Sequence, residues 1–317
     1  MVLFSLSLGR VDISCMTVLK ILFSSVFPLE PDWSVTTYAV VIDVRLPRIL
    51  AGILVGAALS ISGASFQGVF QNPLVSPHIL GVASGAGFGA ALAILLFDNI
   101  LMIHLVSFFF GLLSVGMTYS LSRVYKITPI LMLVLSGIVV GSLFSALTSF
   151  LKYIADPMNK MPAIVFWLLG SLNHVSSKDL LITAPVFIVC ISALLMVRWR
   201  INLLAMGEED AKSLGVNTET LKAVIIVSAT IATASAVCIS GIIGWIGIMI
   251  PHIGRLIVGP DHKYLLPVSM LIGAAYLVAV DTIARTALVT EIPIGILTAI
   301  FGAPVFAFLL RKSQKAD

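Results

Sequence analysis

Charge is scarce in this sequence. Asp, Glu, Lys and Arg together make up 11% of its 317 residues, against roughly 25% in soluble domains. With 59% hydrophobic residues and a mean hydropathy of +1.11, a water-soluble chain of this size could not hide its apolar surface in one core. That excludes a cytosolic enzyme, a nucleic-acid-binding module and a disordered chain. Cysteine is scarcer still, with three residues. Cys15, Cys190 and Cys238 are far apart and form no C-x-x-C pair, so neither a redox couple nor a thiolate metal site is indicated. Cys190 and Cys238 lie in apolar runs and read as small packing residues. Met1–Leu8 is apolar but has no basic leader and no small-residue cleavage site. The phosphate-loop pattern is also missing, because Ala211 rather than Gly precedes Lys212-Ser213. Any use of ATP must then belong to another subunit.

What the sequence does have is long apolar stretches. Residues 49–97 contain no Asp, Glu, Lys or Arg. They give two spans broken by the polar turn from Gln71-Asn72-Pro73 to Pro77-His78, since one crossing takes about 20 residues. Residues 99–122, 127–151 and 180–197 give one span each. Residues 223–254 give a full span and the start of another, divided at Gly241-Ile242-Ile243-Gly244, and 264–280 and 292–310 give the last two. Residues 161–177 hold Pro162, Gly170 and Asn173 and read as a short or re-entrant helix. Residues 9–38 read as a loop with a small interfacial helix. Nine spans follow from Arg45 onward, and Met1–Leu8 is too short to cross alone. The stretches are too long and unbroken for a membrane β-barrel, whose strands alternate over about 10 residues. The expectation is one all-α, polytopic membrane domain over residues 1–317, with about ten transmembrane helices, the first short or truncated. Of the 19 Lys and Arg, eleven fall in one set of alternate loops and eight in the other, so the first set, with the C-terminus, is assigned to the cytoplasm. A faint echo pairs Ile61-Ser62-Gly63 and Pro77-His78-Ile79 with Ile239-Ser240-Gly241 and Pro251-His252-Ile253, which would fit a parallel repeat.

Three polar features stand out. Residues 198–222 form the longest polar stretch, with Gly207, Glu208-Glu209-Asp210 and then Gly215. Acidic residues suit a helix start and Gly a helix end, so two short helices joined by a Gly turn are expected at the inner surface, as a solvated loop or a docking element. Arg45-Leu46-Pro47-Arg48 opens a span, with Pro47 fit for a first turn. Asp281 and Arg285 are four apart on one helix and can pair locally. Gly63-Ala64-Ser65 is a weak match to an intramembrane serine protease, and the five histidines show neither a catalytic nor a metal-ligand spacing. No catalytic residue and no metal ligand is assigned.

Taken in order, several segments resemble the FecCD/BtuC-type permease family, the membrane subunits of type II ABC importers for iron-siderophores, haem and cobalamin. They are Arg45-Leu46-Pro47-Arg48, Gly56–Gly63, Gln71-Asn72-Pro73-Leu74, Leu80-Gly81-Val82, Asn202–Gly207, Leu214-Gly215-Val216, Gly244-Trp245-Ile246-Gly247, Ile250-Pro251-His252-Ile253 with Arg255, Pro293-Ile294-Gly295 and Gly302–Phe306. The motifs identify the family but not its substrate, and some relatives carry molybdate or tungstate. The resemblance implies a homodimer in a bacterial or archaeal cytoplasmic (inner) membrane, surrounded by lipid. It also implies two cytoplasmic ATPase subunits that use ATP and Mg, a periplasmic or lipid-anchored substrate-binding protein, and no nucleic acid. It implies that Met206, Gly207, Glu208, Glu209, Asp210, Ala211, Lys212, Ser213, Leu214, Gly215 and Val216 couple to the ATPase. Arg45, Arg48 and Arg285 would meet acidic residues on the binding protein, and Asn72 and Leu74 would form a gate. At Ile127-Thr128-Pro129-Ile130 the sequence departs from the small hydroxyl residues of some members, and no second gate residue is carried over. An ion-coupled secondary transporter is the competing class, but the spans offer it little charge beyond Asp281 and Arg285.

Overall fold

The computed structural model describes residues 1–9, 11–24, 27, 32–123 and 129–313, and every regular element among them is helical. Three short helices come first: α1 (Val2–Ser7), α2 (Cys15–Ser24) and α3 (Val35–Ala39). A π-helical turn, Val40–Arg45, runs directly into α4 (Leu46–Val69), which has Pro47 in its first turn. Then follow α5 (Val82–Leu96), α6 (Ile100–Ser122), α7 (Ile130–Ile154), the short α8 (Lys160–Leu168) and α9 (Ser177–Ala205). The chain ends with α10 (Glu208–Ser213), α11 (Thr218–Ser240), α12 (Ile246–Val258), α13 (His262–Thr286) and α14 (Ile294–Ser313).

Six helices among the described residues are long and apolar enough to cross a membrane, counting Val35–Val69 as one, and α5, α12 and α14 are shorter apolar helices. Together these follow the nine spans read from Arg45 onward. The protein is a multi-pass membrane protein. Burial sorts the helices into layers. The most apolar windows of α4 and α11 are 83% and 72% buried, whereas those of α6, α7 and α9 are 28% buried. A helix apolar on all sides belongs either at the centre or against lipid, and α4 and α11 are the central pair.

Close approach at the centre depends on small residues, because lipid removes any hydrophobic drive between helices. A Cβ on Gly63 of α4 would collide with the carbonyl and Cα of Gly247 in α12. Ser62 Oγ of α4 donates across to the Ala229 carbonyl of α11 at 3.3 Å.

The two short crossings are completed by irregular backbone, which inside a membrane needs protein partners. Thr118 Oγ1 and Ser114 Oγ of α6 donate to the carbonyls of Leu80 and Gly81, each at 3.0 Å. Gln67 Nε2 donates to the carbonyls of Val75 and Gly247 at 3.3 and 3.2 Å. At the opposite end, backbone bonds knit α8, α11 and α14 together. Ser171 N–H donates to Ser240 O (2.8 Å) and Ile294 N–H to Gly170 O (2.9 Å).

Two expectations are corrected. The internal echo is not a structural repeat: Ser62 lies inside α4 while Ser240 ends α11, and His78 lies in a turn while His252 lies inside α12. Nor does a second short helix follow α10. Asn217 Oδ1 accepts from Thr220 N–H at 3.0 Å and caps α11 itself. With nothing to stop that helix, it runs straight on as a span, so within 198–222 only residues 206–217 lie outside the long helices.

Candidate functional site

The polar residues gather at the two ends of the bundle. At one end, α9 is capped by Met206, which is 64% exposed, and Gly207 turns the chain at φ 126° into α10. A helix of six residues is marginal alone. α10 is held by Ala211, which is fully buried in a cluster with Val69 and Phe70 of the α4 end, Ile201 and Leu204 of α9, and Leu221 of α11. Val216 packs on the same cluster, and its N–H closes the turn on Ala211 O at 3.1 Å. Gly215 supplies a left-handed residue at φ 81°. Glu209, Asp210, Lys212, Ser213 and Leu214 are exposed, Leu214 at 61%. Thus α10 presents acidic residues and one apolar knob outward from a buried base. The side chain of Glu208 lies outside the described structure.

The turn bearing Asn72 and Leu74 lies at this same end. Asn72 Oδ1 accepts from Leu74 N–H at 2.9 Å, a side-chain-closed turn. Both residues are exposed. Gln71 Nε2 reaches the α9 end and donates to Leu204 O at 2.8 Å. A second tie joins α9 to the start of α13: Asn202 Nδ2 donates to Asp261 Oδ1 at 2.6 Å, and His262 N–H donates to Asn202 Oδ1 at 2.9 Å. Asp261 is the cap between α12 and α13. The Lys263 N–H and the Asn202 amide hold its carboxyl below the usual carboxylate range. Residues 127 and 128, in the stretch that departs from some family members, lie outside the described residues.

The opposite end carries the arginines, and here the geometry differs from free docking cations. Arg45, Arg48 and Arg285 are only 5–7% exposed, because internal acceptors occupy them. Arg45 Nη1 donates to Leu6 O (2.5 Å) and Ser7 O (3.1 Å), and its Nη2 to Val11 O (2.5 Å). Arg285 donates to Leu8 O (2.6 Å) and to Ser5. The last carbonyls of a helix lack intrahelical donors, and around α1 these two guanidinium groups supply them. Arg48 pairs with Asp281 at 2.9 Å and with Glu291 at 3.0 Å. Asp281 therefore binds mainly across to α4. Its expected local partner, Arg285, stands 3.9 Å away.

Sequence reasoning missed what lies beside this network. Glu291 also lines a cavity of about 580 Å³ with Asp98, His104, Lys160, Trp167 and His174. His104 Nδ1 faces Asp179 at 3.4 Å, and Asp179 closes a capping box with Ser176 at the start of α9. The capping box was legible as Ser-x-x-Asp, but the cavity was not. It forms from segments near residues 98, 160, 174 and 291, and no local pattern joins them.

A central helix pair, broken crossings with satisfied backbone and a small exposed helix at one end define a multi-pass α-helical membrane protein. Comparison with known proteins identifies which kind. The model of the FecCD transport family matches residues 1–312, and the chain belongs to that family. It is 42% identical to a Haemophilus influenzae protein named molybdate import system permease protein MolB, over 98% of this chain and 92% of that one. It is 42% identical to a Halobacterium salinarum protein named cobalamin import system permease protein BtuC, over 90% of this chain and 77% of that one. A solved structure described as an inward-facing conformation of a metal-chelate type ABC transporter superposes with a TM-score of 0.87. It has 41% identity and covers 98% of this chain and 95% of its own. The protein is thus a permease component of an ABC transporter, a class that works with ATPase and binding-protein partners and is not itself an enzyme.

Proposed function

We propose that this chain is one of two identical membrane subunits of an ATP-driven importer for a metal chelate of the iron-siderophore, haem or cobalamin class. The carrying observation is the placement of α10: exposed, seated by Ala211, and at the same end as the turn with Asn72 and Leu74. In this reading α10 and its flanks, Met206–Val216, dock on a cytoplasmic ATPase that binds ATP and Mg. Asn72 and Leu74 then form the gate at that end. The count of eleven basic residues against eight supports assigning this end and the C-terminus to the cytoplasm, in the inner membrane of a bacterium or archaeon.

A substrate-binding protein delivers the chelate to the arginine end. Arg45, Arg48 and Arg285 can meet its acidic side chains only by exchanging the acceptors they now hold, so docking should weaken with salt and should require α1 to shift. Oxyanion import is the second reading, favoured by the molybdate-named relative that matches 98% of the chain. Competition for uptake between a ferric siderophore, haem, cobalamin and molybdate decides between them. Copurification of the ATPase subunit with the tagged chain tests the docking role. Loss of the complex in Leu214→Asp, with the bundle still folded, is the expected result, and an unaffected complex would remove α10 from that role.

A further inference from the structure

The end of α4 contains a choice that packing does not require. Helices commonly stop with a left-handed residue just past the cap, and glycine is the usual occupant. Here Gln71 N–H bonds to Gly68 O at 3.4 Å and Asn72 N–H to Gln67 O at 3.2 Å, the pair of bonds that defines this ending. The left-handed position is held by Gln71 at φ 50°, a region a residue with a Cβ enters at a cost. What a glycine could not supply is the side chain. Gln71 Nε2 donates to Leu204 O at 2.8 Å, and that same carbonyl accepts the N–H of Gly207 at 3.2 Å. One oxygen at the end of α9 therefore holds both the turn into α10 and the residue directly before Asn72-Pro73-Leu74. The α9 end is braced on its other flank by Asn202 against Asp261 and His262. A displacement of α10 is thereby delivered to Leu204 O rather than lost in a loose joint.

We propose that Gln71 is a positioning residue that links movement of α10 to the turn at Asn72 and Leu74 through the Leu204 carbonyl. The inference rests on the reading of α10 as the ATPase contact and of 72–74 as the gate, and it assigns the connection between them.

The test uses the full permease with its ATPase subunit, with the three native cysteines replaced and Leu74→Cys as a reporter. The rate of maleimide labelling is compared between the nucleotide-free and the ATP–vanadate-trapped complex. With Gln71 present, the two states should differ roughly tenfold, in the usual range of coupling between sites. Gln71→Gly relieves the left-handed strain, and Gln71→Asn tolerates it but falls short of Leu204. Both should abolish the difference while vanadate trapping and thermal stability persist. Gln71→Arg, which keeps a long donor, should restore it. A residue serving only stability would give the opposite for Gln71→Gly: a firmer fold with the labelling difference intact. That result overturns the inference. A reporter that shows no difference even with Gln71 refutes the gate assignment and the inference with it. Failure of Leu214→Asp to release the ATPase strikes the α10 reading separately.

Discussion

Arg48 and Asp281 form the most deeply buried ion pair among the described residues, with side chains 7% and 2% exposed and 2.9 Å apart. A pair at such depth gives little net stability, but removing one partner strands the other charge at a cost of about 3–5 kcal/mol. Asp281→Asn should therefore lower the melting temperature in detergent sharply. Replacing both residues, as Arg48→Met with Asp281→Leu, should recover most of the loss. A single variant as stable as the parent would contradict the pairing. The sequence shows why this partner was hard to read. Arg285 sits at the helical spacing from Asp281, whereas Arg48 lies 233 residues away and meets it only because α4 and α13 pack together. The same holds for Arg45 and Arg285. Their basic character was plain in the sequence, but their use on the carbonyls around α1 depends on tertiary contact.

Helices were more legible than their partners. Runs without charge located each span, because no charged residue is tolerated cheaply against lipid, and Pro73 with Pro77 marked the broken crossing. The break before α12 was legible at Gly241-Ile242-Ile243-Gly244, but the late start of α5 was less visible, since residues 79–81 before it are as apolar as the helix itself. The crossing of α4 with α12 makes a prediction at this scale. Gly63→Leu forces the two backbones apart and should cost about 1–3 kcal/mol or more, read as a lower melting temperature. An unchanged value would show that the contact with Gly247 is loose. Residues 198–222 were legible by composition as a polar surface stretch, of which the structure leaves 206–217 outside the long helices. That Ala211 rather than a charged neighbour anchors it required the structure, because a lone alanine carries no signal of burial.

The molecule as a whole joins two polar ends of different make. One bears the arginine network and the cavity beside Glu291; the other bears α10 and the turn after α4. Between them lies a nearly uncharged core, and among the described residues it holds no chain of ionisable groups for coupling to an ion gradient. In the proposed reading, energy enters from an ATPase partner at the α10 end. The most direct measurement is uptake into vesicles carrying the permease with its ATPase and binding protein, with a ferric siderophore, haem, cobalamin and molybdate each tried as cargo. Uptake of one of them that requires ATP inside the α10 face and persists when proton and sodium gradients are collapsed is the predicted result. Uptake by the chain alone, driven by an ion gradient without ATP, would contradict the account.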